Sequence, residues 1–109
     1  MDKREVINTI YDLIPYLLSA FQVHKVILYG SWIEGNQDLN SDIDIAVIVH
    51  EVPHDYLQCL IKIHEICSAV NVRLEPVLFE YGHDQSGFLE HILSQGEVLF
   101  DEGQLISDV

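Results

Sequence analysis

Apolar residues recur at helical spacing over residues 3–21, where Val6, Ile10, Leu13, Leu17 and Phe21 mark one stripe. Pro15 falls inside this stripe and is expected to kink the helix or restart it as a second short one. The periodicity then changes. Val26-Ile27-Leu28-Tyr29 is a compact apolar run that ends at Gly30, as a buried strand would. Ser31 to about Gly35 reads as a helical turn, and Asn36 to Ser41 as a loop. Residues 42–49 alternate as a second strand, with Ile43, Ile45, Val47 and Val49 on one face and Asp42, Asp44, Ala46 and Ile48 on the other. A helix is predicted at about 54–70, its buried side drawn from Leu57, Leu60, Ile61, His64, Ile66 and Cys67. Residues 71–79 form a third strand in which Val72 and Leu74 share one face and Arg73 and Glu75 the other. After a loop at 82–87, a helix over 87–95 stops at Gly96, read as a left-handed stop. Val98-Leu99-Phe100 forms a short last strand, and 101–109 is expected to be a flexible tail.

This order predicts one α/β (α+β) domain over 1–109, a small mixed sheet flanked by helices, with 1–22 as an N-terminal helical segment. The 49% hydrophobic content, spread along 109 residues, supports a folded core. No basic apolar leader and no apolar run of about 18 residues is present, so neither secretion nor a membrane is indicated. Cys59 and Cys67 are eight apart in one predicted helix and read as reduced core thiols, which points to the cytoplasm. The formal charge of −13, with only five Lys and Arg, excludes a long nucleic acid as the main partner. A nucleotide brought in with a divalent cation, or a basic protein, stays compatible with that charge.

The chemistry concentrates in Gly30-Ser31 and, after ten intervening residues, Asp42-Ile43-Asp44. Residues i and i+2 of a strand point the same way, so the two carboxylates converge and suit Mg²⁺. A glycine turn followed by exposed N–H groups suits phosphate. Glu75, if its strand is a neighbour, is the candidate third carboxylate; its alternative is a surface residue paired with Arg73. Trp32 is a candidate for stacking on a base, whereas Tyr29 and Phe79 are better read as core or rim. The six histidines are scattered, share no ligand spacing and suggest no metal site.

Leu28-Tyr29-Gly30-Ser31-Trp32, then Ser41-Asp42-Ile43-Asp44-Ile45-Ala46-Val47, resembles the nucleotidyltransferase superfamily that includes DNA polymerase beta, and most of all its single-domain minimal nucleotidyltransferases. The closing Ile92-Leu93-Ser94-Gln95-Gly96-Glu97-Val98-Leu99-Phe100 is similar to their usual end. The resemblance implies that Asp42 and Asp44 ligate Mg²⁺, that Gly30 and Ser31 contact the triphosphate of ATP or another nucleoside triphosphate, and that Glu75 completes the site. It also implies an antitoxin role, with a small helical HEPN-type ribonuclease as partner, silenced by binding or by transfer of AMP to a tyrosine.

Two positions depart from that pattern. Glu34 stands where the family usually has Arg or Lys, and Arg73 shares a face with Glu75 and could take its place. A non-catalytic antitoxin with a vestigial nucleotide site is therefore the second reading. Transfer to a small molecule is a third, for which an acceptor-binding domain would have to come from a partner chain. A homo-oligomer is a further expectation, since so small a domain leaves apolar surface to cover.

Overall fold

The computed structural model describes residues 2–35, 41–53, 55–84 and 86–106. The sequence expectations for Asn36 to Asn40, for His54 and for Ser107 to Val109 lie outside the described residues. The elements run α1 (Lys3–Ala20), β1 (Val23–Tyr29), α2 (Ser31–Glu34), β2 (Ile43–Val49), α3 (Tyr56–Val70), β3 (Leu74–Glu80), α4 (Phe88–Gln95), β4 (Glu97–Asp101) and β5 (Gln104–Leu105). The sheet order is β3-β2-β1-β4-β5. β1 lies antiparallel to β2 and β4, whereas β2 and β3 are parallel, as a strand–helix–strand crossover through α3 requires. The expected mixed sheet is thus present.

α1 begins where the sequence places it. Asp2 accepts from the Glu5 amide at 2.8 Å, and Glu5 reciprocates in a capping box. Pro15 does not divide the helix, contrary to expectation: α1 runs through it as one helix. Pro15 is on the exposed side, between buried Ile14 and Leu17, so its missing donor falls on the solvent face and the packed stripe is uninterrupted.

The sheet has two unequal sides. Val26, Leu28, Ile43, Ile45, Val47 and Val49 face α1 and α3 in the main core, with Val6, Ile10, Leu13, Leu17, Cys59, Ile63 and Cys67 opposite. Ile27, Ala46 and Ile48 face the other way and meet only Leu89 and Ile92 of α4, with Tyr29, Val77, Phe79 and Val98 at the margin. The alternation read for β2 therefore holds over Ile43–Val49, whereas Asp42, expected to open the strand, precedes it. The face read for α3 holds in part: Cys67 is buried and Leu60 and Ile66 pack against the core, but the other three are exposed. The buried stripe of α3 is Cys59, Ile63 and Cys67, while Leu57 and Ile61 are 64% and 53% exposed and His64 is also exposed. This helix is apolar on more than one side, so periodicity did not single out the stripe that meets the sheet. Both cysteines are free, and burial, followed by the Glu75 charge, pushes the Cys67 thiol up to about 12.

Gly96 ends α4 in an extended conformation (φ −83°, ψ 174°), not the left-handed one expected. Its role is space. A Cβ here would meet Ile27 Cγ2 at 2.6 Å, the Ile92 carbonyl at 2.7 Å and the Leu28 carbonyl at 2.9 Å. Beyond Phe100 the chain turns through Glu102 (φ 48°) and Gly103 (φ 87°), and β5 pairs back on β4. Positive φ at both central residues is a type I′ hairpin. The Tyr11 hydroxyl donates to the Ile106 carbonyl, tying the hairpin to α1. Residues 101–106 of the expected flexible tail are thus part of the sheet and its hairpin. Among the described residues, no helix is long and apolar enough to cross a membrane.

Candidate active site

The Gly-Ser turn and the carboxylate strand meet at one end of the thinly covered face. β1 ends at Tyr29, which pairs with Asp44 across the antiparallel ladder. The next residue, Gly30, takes φ 78° and caps α2, a single helical turn whose Ile33 and Glu34 amides return to the Gly30 carbonyl at 3.0 Å. Gly30 is irreplaceable on two counts. The positive φ penalises any side chain, and a Cβ would stand 2.3 Å from Asp44 Oδ2. Backbone and carboxylate are therefore in direct apposition. The first amides of a helical turn have no partner within the turn, and here they belong to Ser31 and Trp32, which directly follow the glycine that meets that carboxylate.

Asp44 and Glu75 are register partners on the parallel strands β2 and β3, whereas Arg73 precedes β3. Partial burial raises the Asp44 carboxyl above its ordinary range, and Asp42, Glu75 and Glu34 add to the rise in that order. Four carboxylates thus share one neighbourhood, and Glu34 acts on it as an anion. The Tyr29 hydroxyl is also held above its usual range, by burial and then by Asp44. The oxygens of Asp42, Asp44 and Glu75 do not all come within 4.8 Å of one another. Like charges that share a site repel, and a cation would be what draws them together.

Trp32 corrects the expectation of base stacking. It is 4% exposed and packed in the main core, its Nε1 without a hydrogen-bond partner among the described residues. Only its backbone is available to a ligand. The aromatic side chain beside the carboxylates is instead Tyr29, the register partner of Asp44. The aromatic cluster runs from it through Phe88 to Phe79, opposite Ile48 and four residues along β3 from Glu75, with the Tyr29 and Phe79 ring centroids 6.2 and 6.1 Å from the Phe88 ring. Tyr29 and Phe79 are rim residues, as expected. Phe88 went unread because it reaches the site only through the docking of α4. A groove of about 1300 Å³ between α1 and α3, lined by Tyr11, Tyr16, Cys59, Lys62 and Ile66 among others, holds none of the site carboxylates. It is separate from this chemistry.

A family model described as polymerase beta, nucleotidyltransferase, matches residues 12–104. The chain belongs to the polymerase beta-like nucleotidyltransferase family. Solved structures repeat this nucleotidyltransferase fold. A toxin–antitoxin crystal structure with AMP-PNP is 23% identical, with 88% of this chain and 73% of that one covered and a TM-score of 0.63. A nucleotidyltransferase from Sulfolobus solfataricus, described as putative, superposes with a TM-score of 0.69 at 12% identity over 96% and 88% of the two chains. A Shewanella oneidensis complex of a tri-AMPylated HEPN toxin with its MNT antitoxin gives 0.60 at 19% identity over 91% and 72%. No curated protein matches this nucleotidyltransferase significantly in sequence.

Proposed function

We propose that this nucleotidyltransferase is the antitoxin of a two-protein module and transfers AMP from ATP to a tyrosine hydroxyl of a cognate HEPN-type toxin, with Mg²⁺ as cofactor. The observation that carries the reading is the apposition of Gly30 to Asp44, with Glu75 in register beside it. A phosphate cradle and a carboxylate set are useful to each other only at such range. The all-oxygen donor set fits Mg²⁺, and the raised Asp44 carboxyl marks a neighbourhood short of positive charge. Asp42, Asp44 and Glu75 would hold the ion, which supplies countercharge to the triphosphate and the departing pyrophosphate.

The chain's own residues divide the remaining work. The amides at the start of α2, with Ser31, orient the β- and γ-phosphates so that the α-phosphorus faces the acceptor. Glu75, on the edge strand, would complete the metal site or take the proton of the acceptor hydroxyl. The hydroxyl oxygen bonds to the α-phosphorus as the bond to the bridging oxygen breaks, and pyrophosphate leaves. The toxin–antitoxin neighbours with AMP-PNP and with an AMPylated toxin support this choice of donor and acceptor.

Glu34 favours a second reading, a binding antitoxin without transfer, because it adds a fourth negative charge where a triphosphate must sit. One experiment separates the two. The chain is titrated with ATP, with and without Mg²⁺, by calorimetry, and then co-expressed with any small helical protein that an adjacent gene encodes, for mass spectrometry. The transferase reading expects Mg²⁺-dependent ATP binding and an adenylylated tyrosine, both lost in Asp42→Asn/Asp44→Asn. A tight complex with neither result overturns it.

A further inference from the structure

At the opposite end of β1, the fold assembles a cluster that the sequence kept apart. His24 is in β1, His50 follows β2, and Glu102 is in the β4–β5 turn. Their ligand atoms all lie within 4.8 Å of one another, the only such group of three His, Cys, Asp or Glu among the described residues. One Glu102 oxygen meets His24 Nδ1, and the other is 3.5 Å from His50 Nε2. From these observations we infer that His24, His50 and Glu102 form a binding site for a divalent transition ion of the zinc class, distinct from the carboxylate site.

Three backbone features aim these side chains inward. His24 is the extra residue of a β-bulge, since Val23 pairs with Val49 while Lys25 pairs with Ile48. Bulges re-aim a side chain, and here the ring is nearly buried. Glu102 is the sole described non-glycine residue with positive φ, and its amide donates to the His24 carbonyl at 2.9 Å. The His50 amide donates to the Gln22 carbonyl, also at 2.9 Å, which fixes the end of β2 beside the bulge. The Tyr81 ring packs edge-on against His24 at 4.5 Å and covers one side.

The donor set decides the ion. Two imidazole nitrogens and one carboxylate oxygen suit zinc, whereas magnesium and calcium prefer oxygen throughout. Tetrahedral ligands around zinc lie about 3.4 Å apart, so modest side-chain rotations would close the cluster. Half-exposed Glu102 and His50 leave an approach from solvent and a fourth position for water. The bound ion would pin the β4–β5 turn to β1 and to the end of β2. The two sites stand roughly 17 Å apart along β1, from His24 to Tyr29.

The test uses untagged, chelator-treated full-length protein. Zn²⁺ is titrated by calorimetry, and Co²⁺ by its visible absorption, whose intensity reports a low-coordinate site with nitrogen donors. One Zn²⁺ per chain is expected, with a rise in Tm. Affinity should fall at least about tenfold in both His50→Ala and Glu102→Gln, two exposed positions whose folding is checked by circular dichroism. The Asp42→Asn/Asp44→Asn protein should bind Zn²⁺ as well as the parent does. No binding at about 100 μM Zn²⁺, binding indifferent to both substitutions, or loss in the aspartate variant would overturn the assignment and leave an ordinary His–Glu contact.

Discussion

The two faces of the sheet are built to different ends. The α1/α3 side buries an extensive aliphatic core, while the α4 side closes over Ile27, Ala46 and Ile48 with one short helix. Asp44 belongs to the second side, following the alternation of β2. A carboxylate under the first side would be desolvated completely and would be neutral. On the thin side it is partly buried, enough to raise its pKa and still reachable by a ligand. The fold thus places stability and chemistry on opposite sides of the same strands.

The largest expected effect tests the chemical side. Asp44→Asn should lower AMP transfer by three or more orders of magnitude, about 4 kcal/mol of transition-state stabilisation, measured as adenylate formed per folded chain. Ile63→Ala tests the other side. It should cost about 2–5 kcal/mol in denaturant unfolding and leave transfer by the folded protein nearly unchanged. If Ile63→Ala removed transfer and Asp44→Asn did not, the division of labour would be wrong. Gly96→Ala lies at the seam, against Ile27 and the Leu28 carbonyl. A loss of about 1–3 kcal/mol is expected from overpacking, with a partial loss of transfer because β1 leads directly to Gly30.

The smallest effect has the most telling sign. A carboxyl whose folded pKa is raised binds more protons folded than unfolded, so its contribution grows more favourable as pH falls through that pKa and is a penalty at neutral pH. Without Mg²⁺, Asp44→Asn should therefore raise Tm slightly at pH 7, and the gain should vanish on acidification. A lower Tm for Asp44→Asn at pH 7 would mean that the carboxylate supports the fold rather than burdening it.

Much of this was legible in the sequence because strand alternation is a local property. Ile43, Asp44 and Ile45 sort themselves by parity, and Gly30 advertises its turn. Glu75 can be picked out in the sequence as a candidate, but its register with Asp44 depends on how α3 returns the chain. What failed depended on tertiary context. The stripe of α3 was chosen by the sheet among several apolar options, Trp32 was claimed by the core, and Gly96 is needed for clearance rather than for its φ. His24 and His50 are 26 residues apart, and only the antiparallel return of β2 brings them together.

Pro76 has a consequence for assembly. It sits within β3, which pairs on one side only, and proline is accepted in a ladder where its nitrogen faces away from the neighbouring strand. The outward row of β3 is therefore missing a donor at its middle, and the other rim of the sheet is the two-residue β5. Neither rim offers a long template for an incoming strand. Among the described residues, an incoming strand would meet an interrupted row of donors at β3 and only two residues at β5, so side-chain docking is favoured over extension of the sheet.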